Sequence, residues 1–184
     1  TVSTNMPGLV SLEVPVINYE PYLHDFLGFQ ADNGGQFNTD TINIVKGDHP
    51  LAAKLSNGIN TILGFQASLS YGTPQGEAVI IAVNAADTNQ AVLFAYEKGD
   101  SMYTAKAPER RVGAFFFESV ADTSLTIDGW KLFDASVFWA MKYTPVIDLQ
   151  AYKVQFNNMT STQIDISFTK GTGDKRVVFM SQAS

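Results

Sequence analysis

The chain has 184 residues, enough for about one domain and part of a second, and its content of 45% hydrophobic and 16% charged residues is typical of a folded globular protein. Its net charge of -6, with no run of Lys or Arg, removes the electrostatic attraction that nucleic acid and anionic lipid require, so we expect neither as a partner. Cysteine is absent, which excludes disulfides, thiolate metal sites and a Cys nucleophile, and no apolar run approaches the ~20 residues of a membrane span, so we expect no membrane insertion.

The first elements predicted along the chain are a strand, a tight turn and a helix. Residues 14–17 form a short apolar run, and a turn follows at 18–21. Tyr22, Leu23, Phe26 and Leu27 then recur at helical spacing as far as Gly28. Residues 41–45 alternate like a strand, and 51–55 predict a short helix after a proline.

The middle of the chain predicts a hairpin, a strand and one long helix. Residues 77–84 and 91–97 are rich in strand-forming side chains and flank a turn-forming cluster, so we expect them to pair antiparallel. Residues 111–117 predict another strand. Residues 128–141 predict a largely buried helix, with Trp130, Phe133 and Val137 on its inner face and both tryptophans in the core.

After about residue 145 the pattern changes to strands only, which predicts a domain boundary between residues 1–144 and 145–184. Strands are expected at 152–156, 164–168 and 176–180. Three strands give only part of a β-sandwich, so its open edges need covering. We therefore expect neighbouring domains of a longer protein, or other copies of this one, as partners.

Residues 14–28 resemble the nucleophile-elbow segment of class I glutamine amidotransferases, in which a strand enters a sharp turn and then a helix. Residues 48–55 are similar to the His-Pro motif of the trehalose-utilisation-like branch of that superfamily, and residues 111–141 resemble its closing strand and last helix. The resemblance covers roughly residues 10–142. It implies an α/β fold: a flavodoxin-like or amidotransferase-like, mostly parallel sheet that lacks its first strands here.

The catalytic residues of the resembled family are missing. Glu20 stands where that family has its Cys, and Phe117 and Glu118 stand where it commonly has a His. A carboxylate at an elbow is a poor nucleophile for acyl transfer, so the Cys-His pair of amide hydrolysis cannot be assembled. We expect no catalytic residues of that kind, no metal and no cofactor.

Residues 151–180 resemble the opening strands of fibronectin type III-like repeats, which adds a partial β-sandwich to the predicted fold. The combination of modules resembles large bacterial surface or secreted proteins. It implies an extracellular or cell-surface location and a non-catalytic structural or interaction role in a multidomain chain.

The candidate ligand-binding residues are Tyr19, Glu20, Tyr22, His24 and Glu118. The four-residue spacing of Glu20 and His24 predicts a shared helix face beside the crevice at the strand ends, where α/β sheets bind ligands. Carbohydrate binding there is one alternative function, and an exposed aromatic ring beside Glu20 would favour it. A hydrolase that uses Glu20 or Glu118 is another. The structural interpretation is that Glu20 caps a helix start and His24 lies on a solvated face.

Overall fold

The computed structural model describes residues 8–116, 124–142, 152–158, 160 and 162–169. It divides into two compact units, Thr1–Thr144 and Pro145–Ser184. The strands of the first unit are β1 (Val16–Asn18), β2 (Gly35–Thr39), β3 (Thr41–Ile44), β4 (Gly58–Thr61), β5 (Ala67–Tyr71), β6 (Val79–Val83), β7 (Ala91–Tyr96) and β8 (Arg111–Gly113). Its helices are the α-helix α1 (Ile127–Ala140) and two 3₁₀ helices, Pro21–Leu23 and Pro50–Ala52.

Six of these strands form a mixed sheet in the order β1-β8-β7-β6-β3-β4. The edge strand β1 runs parallel to β8, whereas β3–β4, β3–β6, β6–β7 and β7–β8 are antiparallel. The expected hairpin at 77–84 and 91–97 is confirmed by the antiparallel pairing of β6 with β7. Strands β2 and β5 form a separate antiparallel ribbon.

The predicted α/β fold, a flavodoxin-like or amidotransferase-like sheet, is wrong. The described residues are mostly β and contain one α-helix, so the helical crossovers that a parallel sheet requires are not available among them. The segment predicted as a helix at 22–28 forms only a three-residue 3₁₀ helix and turns. Its backbone bonds are irregular, from Leu27 to Leu23, from Gly28 to Asp25 and from Phe29 to His24.

The central strand β7 is buried along its whole length because both faces of the sheet are covered. On one face, Leu132 and Trp139 of α1 pack in a cluster with Ile44, Ile81 and Val112. On the other face, side chains of β7 form a smaller cluster with side chains from before β2 and from between β7 and β8. Its members are Leu27, Phe29, Ala91, Phe94, Tyr96, Met102 and Ala107. The sheet is therefore the middle layer of the unit.

Helix α1 is found where the sequence predicts it, but a different face is buried. Its buried residues are Gly129, Leu132, Ser136, Trp139 and Ala140, whereas Trp130 is 40% exposed. Gly129 lies against the Ile62 carbonyl, where a Cβ atom would collide, so the helix approaches the end of β4 with its small residues. That close approach turns Trp130 outward, and the expectation that both tryptophans are core residues is wrong for Trp130.

A buried arginine connects the start of the first unit to β8. The Arg111 side chain is fully buried; its Nη1 donates to the Val14 carbonyl at 2.6 Å, and its Nη2 donates to the Leu12 carbonyl. Burial lowers the pKa of Arg111, with the charge of Glu109 opposing that shift. Among the described residues no carboxylate forms a salt bridge with it, so backbone carbonyls alone receive its hydrogen bonds.

The described part of the second unit is an antiparallel hairpin of β9 (Tyr152–Asn157) and β10 (Asp165–Thr169). Because side chains alternate along a strand, Val154 and Phe156 share one face and Gln155 and Asn157 the other. Val154 is 51% and Phe156 59% exposed. The strands expected at 152–156 and 164–168 are thus found, and the one expected at 176–180 lies outside the described residues.

No helix in the described ranges is both long and apolar enough to cross a membrane, as expected.

Candidate functional site

The candidate site is built on the turn that follows β1. The Asn18 side chain closes this turn: its Nδ2 donates to the Glu20 carbonyl at 2.8 Å, and its Oδ1 accepts from the Glu20 N–H at 3.3 Å. The Glu20 carboxylate then accepts the Tyr22 N–H at 3.0 Å and caps the 3₁₀ helix Pro21–Leu23. The structural interpretation of Glu20 as a capping residue is therefore confirmed.

Tyr19 belongs to an aromatic cluster beside this turn. Its ring lies 5.0 Å from Phe116, edge to face, and 6.2 Å from Phe133, stacked. The exposed ring of Trp130 extends the cluster through an edge contact of 5.8 Å with Phe133. Burial raises the pKa of Tyr19 to about 12, and the ring contacts make Tyr19 a packing residue.

Tyr22 is the exposed aromatic residue of the turn. Its side chain is 39% exposed, and its backbone N–H is the group that Glu20 caps. The phenol oxygen accepts a hydrogen bond of 3.4 Å from Gln36 Nε2 on β2. An aromatic ring, a carboxylate and a carboxamide therefore meet at one place on the surface.

His24 is separated from Glu20 and faces the core. It is 2% exposed, with ring-centroid distances of 5.6 Å to Phe29 and 5.5 Å to Phe94. Burial lowers its pKa to about 4, and the nearby Gln30 carboxamide opposes that shift without a hydrogen bond of normal geometry. Neither ring nitrogen has a hydrogen-bond partner in the described part of the chain.

The structure does not bring Glu20 and His24 together. The expected shared face assumed an α-helix, in which residues four apart lie one above the other. A 3₁₀ helix has three residues per turn, so residues four apart lie about a third of a turn from each other. Glu20 consequently caps the helix at the surface, and His24, its C-terminal cap, points inward.

Other predicted groups are placed as follows. Glu118 lies outside the described residues. His49 caps the second 3₁₀ helix, since its Nδ1 accepts the Leu51 N–H at 3.2 Å. Within the residues that the structure describes, no group of three or more His, Asp or Glu side chains is arranged to hold a metal ion.

A polar face of the β2–β5 ribbon was not predicted from the sequence. Gln36 and Asn38 alternate with Phe37 on β2, and they lie opposite Ser70 and Ser68 on β5. Ser68 Oγ donates to Asn38 Oδ1 at 2.8 Å. The period-two alternation of polar and apolar residues in both strands was the signal that could have revealed it.

The β2–β5 ribbon also contacts the turn that follows β1, through Ser70. Ser70 is buried, and its Oγ lies 2.8 Å from the Tyr19 carbonyl and 2.6 Å from the Phe116 carbonyl. The inner end of the polar face, at Ser70, is thus covered, and its outer end, at Asn38, is open to solvent. We use the name turn–ribbon surface for the partly or fully exposed set of Glu20, Tyr22, Gln36, Asn38 and Ser68.

Comparisons with known proteins add no family or neighbour to this geometry. A scan against protein-family models, a search of curated proteins and a search of solved structures each found no match to this chain.

Proposed function

We propose that this chain is a non-catalytic interaction module of a larger extracellular or cell-surface protein, and that it binds carbohydrate at the turn–ribbon surface. The observation that carries the proposal is the exposed Tyr22 ring beside the fixed Glu20 carboxylate and the Gln36 carboxamide. The extracellular setting is supported by the resemblance of residues 151–180 to fibronectin type III-like repeats.

The non-catalytic part of the proposal is supported by the roles of Glu20 and His24. A general base must reach the proton that it abstracts, and the His24 ring lies behind aromatic side chains. Glu20 already accepts the backbone N–H that it caps.

The carbohydrate part is supported by the chemistry of the surface. A sugar ring offers an apolar C–H face and a rim of hydroxyl groups, each of which both donates and accepts. An exposed tyrosine ring matches the face, and carboxamide, hydroxyl and carboxylate groups match the rim. The net charge of -6 and the carboxylate of Glu20 disfavour acidic polymers, which leaves neutral sugars as the best fit.

A glycan array probed with the wild-type chain and two tyrosine variants tests this proposal. We expect Tyr22→Ala to weaken binding by about fivefold or more, because it removes contact area at the centre of the site. Tyr103→Ala is the matched control, since Tyr103 is a 50% exposed tyrosine between β7 and β8, and it should bind like the wild type. Absence of any signal with the wild-type chain would refute carbohydrate binding, and equal losses in both variants would refute the site.

A further inference from the structure

The polar row of the turn–ribbon surface continues past the turn along β2. The Tyr22 hydroxyl contacts Gln36, and Asn38 follows two residues later on the same face of the strand. Two residues of an antiparallel strand span about 7 Å. The hydrogen-bonding groups therefore extend well beyond the area that a single sugar ring at Tyr22 would cover.

The outer end of this row is ordered before any ligand arrives. Ser68 pairs with Asn38 across the ribbon, and its hydroxyl donates a hydrogen bond of 2.8 Å to the side-chain oxygen Oδ1 of Asn38. That bond orients the Asn38 carboxamide on a strand whose register is fixed. Asn38 is exposed, and its amide nitrogen has no hydrogen-bond acceptor among the described residues, so its N–H groups can donate to a ligand.

We infer that the turn–ribbon surface binds several consecutive sugars of a neutral polysaccharide, with Tyr22 at one subsite and the Asn38–Ser68 pair at a second. This inference rests on the proposed binding of neutral carbohydrate and adds the length of the ligand and a second subsite. None of the five side chains of the surface is a cation, and Glu20 is an anion. Uronic acid and sulphated chains would therefore meet repulsion without a compensating ion pair.

The experiment compares short and long ligands on the same variants by titration calorimetry. Cello- and malto-oligosaccharides of two and six sugars are the neutral probes, and polygalacturonate is the charged one. In the series that binds, we expect the six-sugar ligand to bind at least tenfold more tightly than the two-sugar ligand. Asn38→Ala and Ser68→Ala should each remove about three- to tenfold of the six-sugar affinity and a smaller factor of the two-sugar affinity.

The remaining variants separate the second subsite from the first. Tyr22→Ala should weaken both ligand lengths, and Asn89→Ala, which removes an exposed carboxamide from the turn between β6 and β7, should weaken neither. Equal affinity for two and six sugars, or no effect of Asn38→Ala, overturns the second subsite and leaves the proposed function standing. Stronger binding of polygalacturonate overturns the neutral ligand class. No binding of any sugar by the wild-type chain overturns both proposals.

Discussion

Acidification should destabilise the first unit through His24. The ring is 2% exposed, and its pKa is lowered by burial to about 4 in the folded chain, against about 6.5 when it is exposed in the unfolded chain. Between these two values the unfolded state binds the proton and the folded state does not. Stability therefore rises with pH across this window, is fully present above about pH 6.5 and is lost as pH falls towards 4.

The size of this loss follows from the two pKa values of His24. A lowering from 6.5 to about 4 corresponds to about 3 kcal/mol of unfolding free energy, since each pH unit is worth about 1.4 kcal/mol. Domains have total stabilities of about 5 to 15 kcal/mol, so the loss is a large share. Glu109, whose hydrogen bonds to Lys98 and Lys142 lower its pKa to about 2, adds a further loss of stability only as pH falls below about 4.5.

Urea unfolding followed by tryptophan fluorescence, repeated between pH 8 and 4.5, measures the effect. His24→Leu replaces the ring by an apolar side chain and removes two buried nitrogens without partners, so most of the pH dependence above pH 4.5 should disappear. His49→Asn is the matched control, because it keeps a capping acceptor at a half-buried histidine and should keep most of the dependence. An unchanged slope in His24→Leu would refute the reasoning.

Three further outcomes are expected. The wild-type chain should release no ammonia from glutamine above a protein-free blank, and release that disappears in Glu20→Ala would contradict this. Arg111→Ala should lower the unfolding free energy by about 3 kcal/mol or more, because it removes a fully buried side chain together with the donors to the Leu12 and Val14 carbonyls, and Arg111→Met, which keeps the packing, should cost less in the same urea titration. The isolated chain should associate at micromolar concentration through the apolar face of the β9–β10 hairpin, so sedimentation should shift towards monomer in Val154→Ser/Phe156→Ser but not in Gln155→Ser.

Local sequence patterns predicted the elements that are held together by contacts between residues close in the sequence. The β6–β7 hairpin has two strand-forming runs around a turn, and the Thr126 hydroxyl caps α1 by accepting the Gly129 N–H. The helix expected at 22–28 failed although its apolar spacing fits. Pro21 starts a 3₁₀ turn there, and Gly28, with a φ of +74°, ends the segment after irregular bonds. The spacing of apolar residues alone does not distinguish a single 3₁₀ turn from an α-helix.

Strand order depends on pairings between distant residues, which no local pattern contains. The parallel contact of β1 with β8 joins Val16 to Arg111, and the other neighbours in the six-stranded sheet are antiparallel. The expected parallel sheet came from a resemblance in order and spacing, not from the residues themselves. For the candidate site, Glu20 and Tyr22 follow from the turn, but Asn38 and Ser68 do not, because only the pairing of β2 with β5 brings these two residues, 30 apart in the sequence, together.

The hydrogen bonds from Arg111 to the segment just before β1 also bear on the order in which the unit folds. Its hydrogen bonds reach 97 residues back to Val14, whereas β6 and β7 pair residues only 16 apart, Val79 with Ala95. Loop-closure entropy grows with the logarithm of length, so the long closure costs roughly 1.6 kcal/mol more than the short one. Assembly therefore favours the central hairpin first and the β1 edge last. Detachment of β1 would break the Arg111 bonds to the segment before it and expose the buried guanidinium to water.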